Sequence, residues 1–206
     1  MILQRPPDAW ALYVLAHGAG AGMRHPFLES LAAALFARGM ATLRYEFPYL
    51  EEGRRRIDPK PVLEERVRSA VAAAQEQRLP LFAGGKSMGG RMTSQAFARA
   101  PREGVRGIAF VGFPLHPAGQ PGVTRAEHLK DVGVPMLFLQ GTRDELADLS
   151  LLRPIVAALP QAVLHVFEDA DHSFHVRKKS GRTDAEVMAE LARTLAGWAR
   201  TVLSTE

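Results

Sequence analysis

The chain has 206 residues, 47% hydrophobic and 23% charged, with a formal net charge of +4 and no cysteine. That length supports one sizeable core, and the composition is that of a globular protein rather than a disordered or fibrous one. Without cysteine there is no disulfide framework, no thiolate metal site and no thiol nucleophile.

The first residues, "MILQRPPDAW", lack a basic stretch followed by an apolar one, so they do not read as a signal peptide. No apolar run approaches the roughly 18 residues that a membrane span requires. These features predict a cytoplasmic protein with no membrane span. The basic residues are scattered apart from Arg54-Arg55-Arg56 and Arg177-Lys178-Lys179. Such short clusters read as solvated loop charge, and no nucleic-acid partner is expected.

Six apolar runs read as buried strands: 11–17, 41–47, 79–85, 107–113, 135–141 and 162–168. Most lack strict alternation, the pattern of strands covered on both faces of a parallel sheet. Helical patterns separate most of them. Residues 26–38 place Phe27, Leu31 and Leu35 on one stripe, ended by Gly39. Asp58 and Pro59 supply an N-cap and a first-turn proline for a helix with Val62, Val67, Ala70, Val71 and Ala74 on one face. A third helix is predicted from just after Ser87 to about Arg99, ended by Pro101. Residues 146–159 read as another, which Pro154 must kink or begin. The last opens on a capping box, Thr183-x-x-Glu186, with Leu191, Leu195, Trp198 and Val202 at helical spacing.

Alternating strands and helices imply a mostly parallel sheet of six to seven strands with helices on both faces, and residues 1–206 read as a single domain. The Pro- and Gly-rich segment 113–129 follows a strand end and is expected to overhang any site there.

The stretch "LFAGGKSMGGR", residues 81–91, admits two chemistries. A phosphate-binding P-loop needs a glycine at position 80, which is Pro80, and Leu81, Phe82 and Ala83 fill the required loop with strand residues. A nucleophile elbow, G-x-S-x-G, fits Gly85, Ser87 and Gly89 between an apolar strand and a helix. A glycine turn with Ser87 as a helix cap is the plain structural alternative. Lys86, beside the serine, is expected to face solvent or substrate.

A serine hydroxyl needs a base and the base needs an orienting carboxylate. The chain order that accompanies this elbow is nucleophile, acid, histidine. Asp144 sits just past the fifth run and His172 just past the sixth. Asp148 and His175 are the competitors, each further from its strand end. Asp169 and Asp171 read as turn residues, and His116, His128 and His165 as packing or surface histidines. For the oxyanion, the amide of Met88 is one expected donor. The glycine loop "LAHGAGAGM" supplies the other, Ala19 before Gly20, with His17 bracing the loop. Gly18, Gly20, Lys86 and Arg143 are candidate substrate contacts; at least one of Arg24, Arg91 and Arg143 is a candidate to meet an anionic substrate group, with a surface salt bridge the favoured alternative. A dinucleotide fingerprint in that loop fails at Met23, His25 and Phe27, where a third glycine would be required. No His, Asp or Glu cluster has metal-ligand spacing.

The blocks "HGAGAGM", "GGKSMGGRM", "QGTRDEL" and "DADHSFH" together resemble the α/β-hydrolase fold, in its small lidless members related to dienelactone hydrolase, and the bacterial hydrolases grouped with the KANSL-type proteins. The resemblance covers nearly the whole chain. It implies a Ser87–Asp144–His172 triad that hydrolyses a small-molecule ester or thioester without cofactor, no cap domain, and a monomer or weak homodimer. Dienelactone hydrolases proper use a cysteine nucleophile, so their substrate does not transfer. Some eukaryotic relatives resemble scaffold subunits, which makes a binding protein with an idle triad the alternative.

Overall fold

The computed structural model describes residues 1–100 and 104–205. Seven strands form one sheet: β1 (Ile2–Gln4), β2 (Ala11–Ala16), β3 (Met40–Tyr45), β4 (Leu81–Lys86), β5 (Val105–Val111), β6 (Met136–Gly141) and β7 (Ala162–Phe167). Their order is β1-β3-β2-β4-β5-β6-β7. All neighbours run parallel except β1, which pairs antiparallel with β3.

The helices are α1 (Pro26–Phe36), the short α2 (Pro48–Glu51), α3 (Lys60–Gln75), α4 (Met88–Arg99), α5 (Leu149–Ala157) and α6 (Asp184–Ser204). They cover both faces of the sheet. Leu12, Val14 and Ala16 pack on one side with Val67 and Val71 of α3 and Met92 of α4. Ala11, Tyr13 and Leu15 pack on the other with Leu31 of α1 and Leu191 and Leu195 of α6. Every residue of β2 is buried, which is why this strand shows no alternation in sequence.

The six predicted strands are all present, with ends shifted by one or two residues; β3 and β5 begin earlier than expected and β4 ends one residue later. β1 and α2, three and four residues long, are additional. The capping box of α6 forms with both of its hydrogen bonds. α4 begins directly after Ser87 and ends at Arg99; Pro101, expected to end it, lies outside the described residues. Three details differ from expectation. α3 has Pro59 at its cap, and the Asp58 carboxylate instead accepts the Tyr49 N–H (2.8 Å) and an Arg54 N–H (2.8 Å). Val62 is exposed, and Leu63 takes the buried place at the start of that helix. Asp148 caps α5 by accepting the Ser150 N–H at 2.8 Å, so Pro154 falls inside the helix rather than beginning it.

The turns after β2, β4, β6 and β7 open at the same, carboxyl edge of the sheet, where ligands collect in open α/β folds. Between β5 and β6 the chain forms a 3₁₀ helix, Thr124–Asp131, and among the described residues no cap domain is inserted. This is the α/β-hydrolase fold, mostly parallel and uncapped.

Candidate active site

β4 turns abruptly into α4 at Ser87, whose φ of 50° and ψ of −119° lie in a region that costs a non-glycine residue about 1–3 kcal/mol. The turn is held by the Ser87 N–H donating to Val111 O (3.1 Å) and by Ser87 O accepting the Arg91 N–H (3.2 Å). The flanking glycines are there because of close approach. A Cβ on Gly85 would stand 2.3 Å from Ala16 O, and one on Gly89 would stand 2.5 Å from His17 O. Any side chain at either position would push the elbow off β2.

The loop after β7 carries His172 back over the elbow. Asp171 shapes that loop: its Oδ1 accepts the amides of Ser173 (2.8 Å) and His175 (3.0 Å). Asp169 pairs with Arg177 and also belongs to the turn. His172 Nε2 lies 2.8 Å from Ser87 Oγ, and Nδ1 lies 2.7 Å from Asp144 Oδ2. An ionised carboxylate can only accept, so Nδ1 carries the proton and Nε2 is free to accept the serine hydroxyl. The Asp144 side chain is fully buried, whereas that of His172 is 25% exposed. Three donors satisfy the carboxylate: His172 Nδ1, Gln140 Nε2 (2.5 Å) and the Leu146 amide (2.8 Å). Gln140 Oε1 accepts the Phe113 N–H at 2.9 Å, which fixes the direction of its amide.

Met88, first residue of α4, is where helix geometry leaves an amide without an intrahelical acceptor. The glycine loop after β2 lies opposite, where a Cβ built on Gly18 would be 3.6 Å from Ser87 Cβ. His17 is buried and ties the start of this loop to the chain after β3: Nδ1 is 2.7 Å from Gly18 O, and Nε2 accepts the Phe47 N–H at 3.1 Å. Burial holds its pKa below the usual histidine range, so it acts as a neutral brace. The Gly20 amide donates to Tyr49 Oη (2.9 Å) and the Met23 amide to Glu46 Oε2 (2.9 Å). Gly20, the second oxyanion candidate, is thereby engaged elsewhere, while Ala19 remains exposed at the cleft.

The competing residues have other partners. His175 Nδ1 pairs with Asp184 (2.9 Å), His116 Nε2 accepts the Asp148 N–H (2.9 Å), and His165 meets Glu190 (2.8 Å). A second serine–histidine contact joins Ser94 Oγ and His128 Nε2 at 2.7 Å. Ser94 lies within α4 and donates to Arg91 O, with no elbow around it. Burial, then Arg91 and Lys60, lowers the His128 pKa to about 4 against the opposing pull of Asp131. That contact is a packing interaction between α4 and the 3₁₀ helix. Arg143 donates to Asp169 O (2.9 Å) and borders the polar side of the His172 loop. Arg91 lies toward Arg125 and His128, and neither it nor Arg24 lines the cleft at Ser87. Lys86 does line it, but its Nζ is buried rather than facing solvent.

The cleft over Ser87 holds about 530 Å³, with Gly18, Ala19, Phe27, Leu28, Leu146 and His172 among its walls. Among the described residues no grouping of His, Asp and Glu could hold a metal ion, and no helix is long and apolar enough to cross a membrane. Of the supporting residues, Gln140 has a sequence signal, an amide inside an apolar run. Tyr49 and Glu46 have none.

An elbow serine, a histidine and a carboxylate at one sheet edge are the parts of a hydrolase built on this fold. Residues 9–200 match the family model of the alpha/beta hydrolase domain, and the chain belongs to that family. Solved structures share the fold at low identity. An α/β serine hydrolase homologue from Coxiella burnetii is 18% identical with a TM-score of 0.72, over 95% of this chain and 88% of that one. The dienelactone hydrolase of Anabaena variabilis is 23% identical with a TM-score of 0.72, over the same shares. A lidless α/β serine hydrolase from Xanthomonas campestris is 22% identical with a TM-score of 0.71, over 95% and 87%.

Proposed function

We propose that the protein is a serine hydrolase that cleaves carboxylic esters or thioesters of small molecules through an acyl-enzyme on Ser87. One observation carries this reading: the unbroken series Ser87 Oγ, His172 Nε2 (2.8 Å), His172 Nδ1, Asp144 Oδ2 (2.7 Å). His172 takes the hydroxyl proton as Ser87 Oγ attacks the acyl carbonyl carbon. Asp144 keeps the imidazole oriented and stabilises its charged form. The amides of Met88 and Ala19 receive the oxyanion. His172 then gives the proton to the leaving alkoxide or thiolate. Water, deprotonated by the same histidine, repeats the sequence and frees the acid.

The test is hydrolysis of p-nitrophenyl acetate, p-nitrophenyl butyrate and an acyl thioester by the wild type, Ser87→Ala and His172→Ala. The reading expects turnover by the wild type and a loss of several orders of magnitude in kcat for either variant. Turnover at the wild-type rate by folded Ser87→Ala would overturn it. A folded wild type inert to all three substrates would favour a binding role instead.

A further inference from the structure

Lys86 is the last residue of β4, immediately before the elbow serine, and its Nζ is buried with no hydrogen-bond partner among the described residues. The Phe27 and Phe174 rings wall it at 6.0 and 5.8 Å from their centroids. Its floor is the space left by a missing side chain. A Cβ on Gly112 would lie 3.1 Å from Nζ and 3.4 Å from both Cε1 and Nδ1 of His172. Ammonium and imidazole therefore share one small hollow.

Two carboxylates face the ammonium, Asp144 from the loop after β6 and Asp171 from the loop after β7. Both have other commitments. Asp144 accepts from His172, Gln140 and Leu146, and Asp171 Oδ1 holds two amides of its own loop. Burial lowers the Lys86 pKa to about 8, so at neutral pH the group is mostly a cation without a hydrogen-bonded counter-ion. A buried cation left in that state is unfavourable, and a negative group arriving nearby gains from it. The stem of Lys86 lies against the oxyanion loop, with Cγ 3.8 Å from a Cβ built on Gly18. Lys86 is itself one of the walls of the cleft, together with Phe27, Ser87 and His172. The arginines next to the motif loops do not compete: Arg24 and Arg91 do not line this cleft, and Arg143 is bonded to Asp169 O. Also lining the cleft, His175 and Asp184 are matched to one another at 2.9 Å.

We propose that Lys86 is a specificity-determining residue that makes this cleft select esters carrying a carboxylate, the ammonium pairing with that carboxylate beside Phe27 and His172. The inference rests on the hydrolase reading above and names the substrate class of the same site.

The experiment compares kcat/KM for two matched pairs, corrected for spontaneous hydrolysis. Mono-p-nitrophenyl glutarate against p-nitrophenyl butyrate places the carboxylate on the acyl side. 4-Acetoxybenzoate against its methyl ester places it on the alcohol side. A charge-assisted contact predicts a preference of about 10- to 100-fold for the anionic member of at least one pair, reduced to near one in Lys86→Met. Lys86→Gln is read the same way should Lys86→Met fold poorly. In the wild type the preference falls as pH rises through about 8, while both substrate carboxylates stay ionised. No preference in either pair, or one that survives unchanged in the folded variants, overturns the proposal and leaves the hydrolase reading standing. A wild type that hydrolyses neither member of either pair and resists a fluorophosphonate overturns both.

Discussion

Gln140 places a polar side chain in a strand that is otherwise apolar, and both ends of its amide are used, by the Phe113 N–H and by Asp144. Replacement by leucine leaves the Phe113 amide unpaired in the core and removes one of three donors from the buried carboxylate. The expected cost is about 1–3 kcal/mol in denaturant unfolding, with a fall in kcat and little change in KM. Tyr49→Phe is the milder companion. It frees the Gly20 amide from Tyr49 Oη, and kcat is expected to drop a few-fold as the glycine loop loosens. Residues at this scale were unequally legible. Ser87, Asp144 and His172 each follow an apolar run, so strand ends alone locate them. Tyr49 and Glu46 reach the loop from the chain after β3, and no local spacing encodes that approach. Gly20 is an oxyanion candidate because a glycine lets backbone approach substrate closely, a property that says nothing of which acceptor its amide meets.

At the scale of elements, hydrophobic period and cap chemistry predicted the helices where both agreed. The capping box at Thr183 and Glu186 forms as written in the sequence. Thr183→Ala is expected to cost about 1 kcal/mol, read as a lower urea midpoint with unchanged slope. In α1 and α3 the helix is present but details of its face or cap differ. The stripe Phe27, Leu31, Leu35 correctly identifies α1, but the helix turns Leu28, Leu31, Ala32 and Leu35 into the core. Phe27 is left at the edge, stacked on Phe174 at 5.9 Å between centroids. A periodic pattern cannot separate a core residue from a cleft wall when the two are adjacent on the helix. Asp58 looked like a cap because it precedes a proline, yet its carboxylate is drawn to the Tyr49 amide and Arg54. β1 is only three residues long, too short to show any period.

Across the whole molecule, the parallel sheet and its two covered faces were readable from runs that never alternate, whereas the strand order was not, because order is set by crossovers rather than by any strand's own residues. Burial of a lysine at the centre of this arrangement has a global consequence. The folded-state pKa of Lys86, about 8, lies below its ordinary value near 10.5, so the folded protein binds that proton less tightly than the unfolded chain does. The penalty is fully present below pH 8 and fades as pH rises toward 10.5. Lys86→Met is therefore expected to raise stability at pH 7 by about 3 kcal/mol, from 1.36 kcal/mol per pKa unit, with the gain shrinking above pH 8. Urea unfolding of both proteins at pH 7 and pH 10 measures this; equal gains at both would contradict the buried charge.

The central claim is that Ser87, and no other serine, is the nucleophile. The most direct measurement is intact-mass analysis after treatment with a fluorophosphonate, followed by peptide mapping of the adduct. One phosphonyl group on Ser87, absent from Ser87→Ala and suppressed in His172→Ala, is the predicted result. A folded wild type that takes up no label, or an adduct that maps to Ser94 or persists in Ser87→Ala, would contradict it.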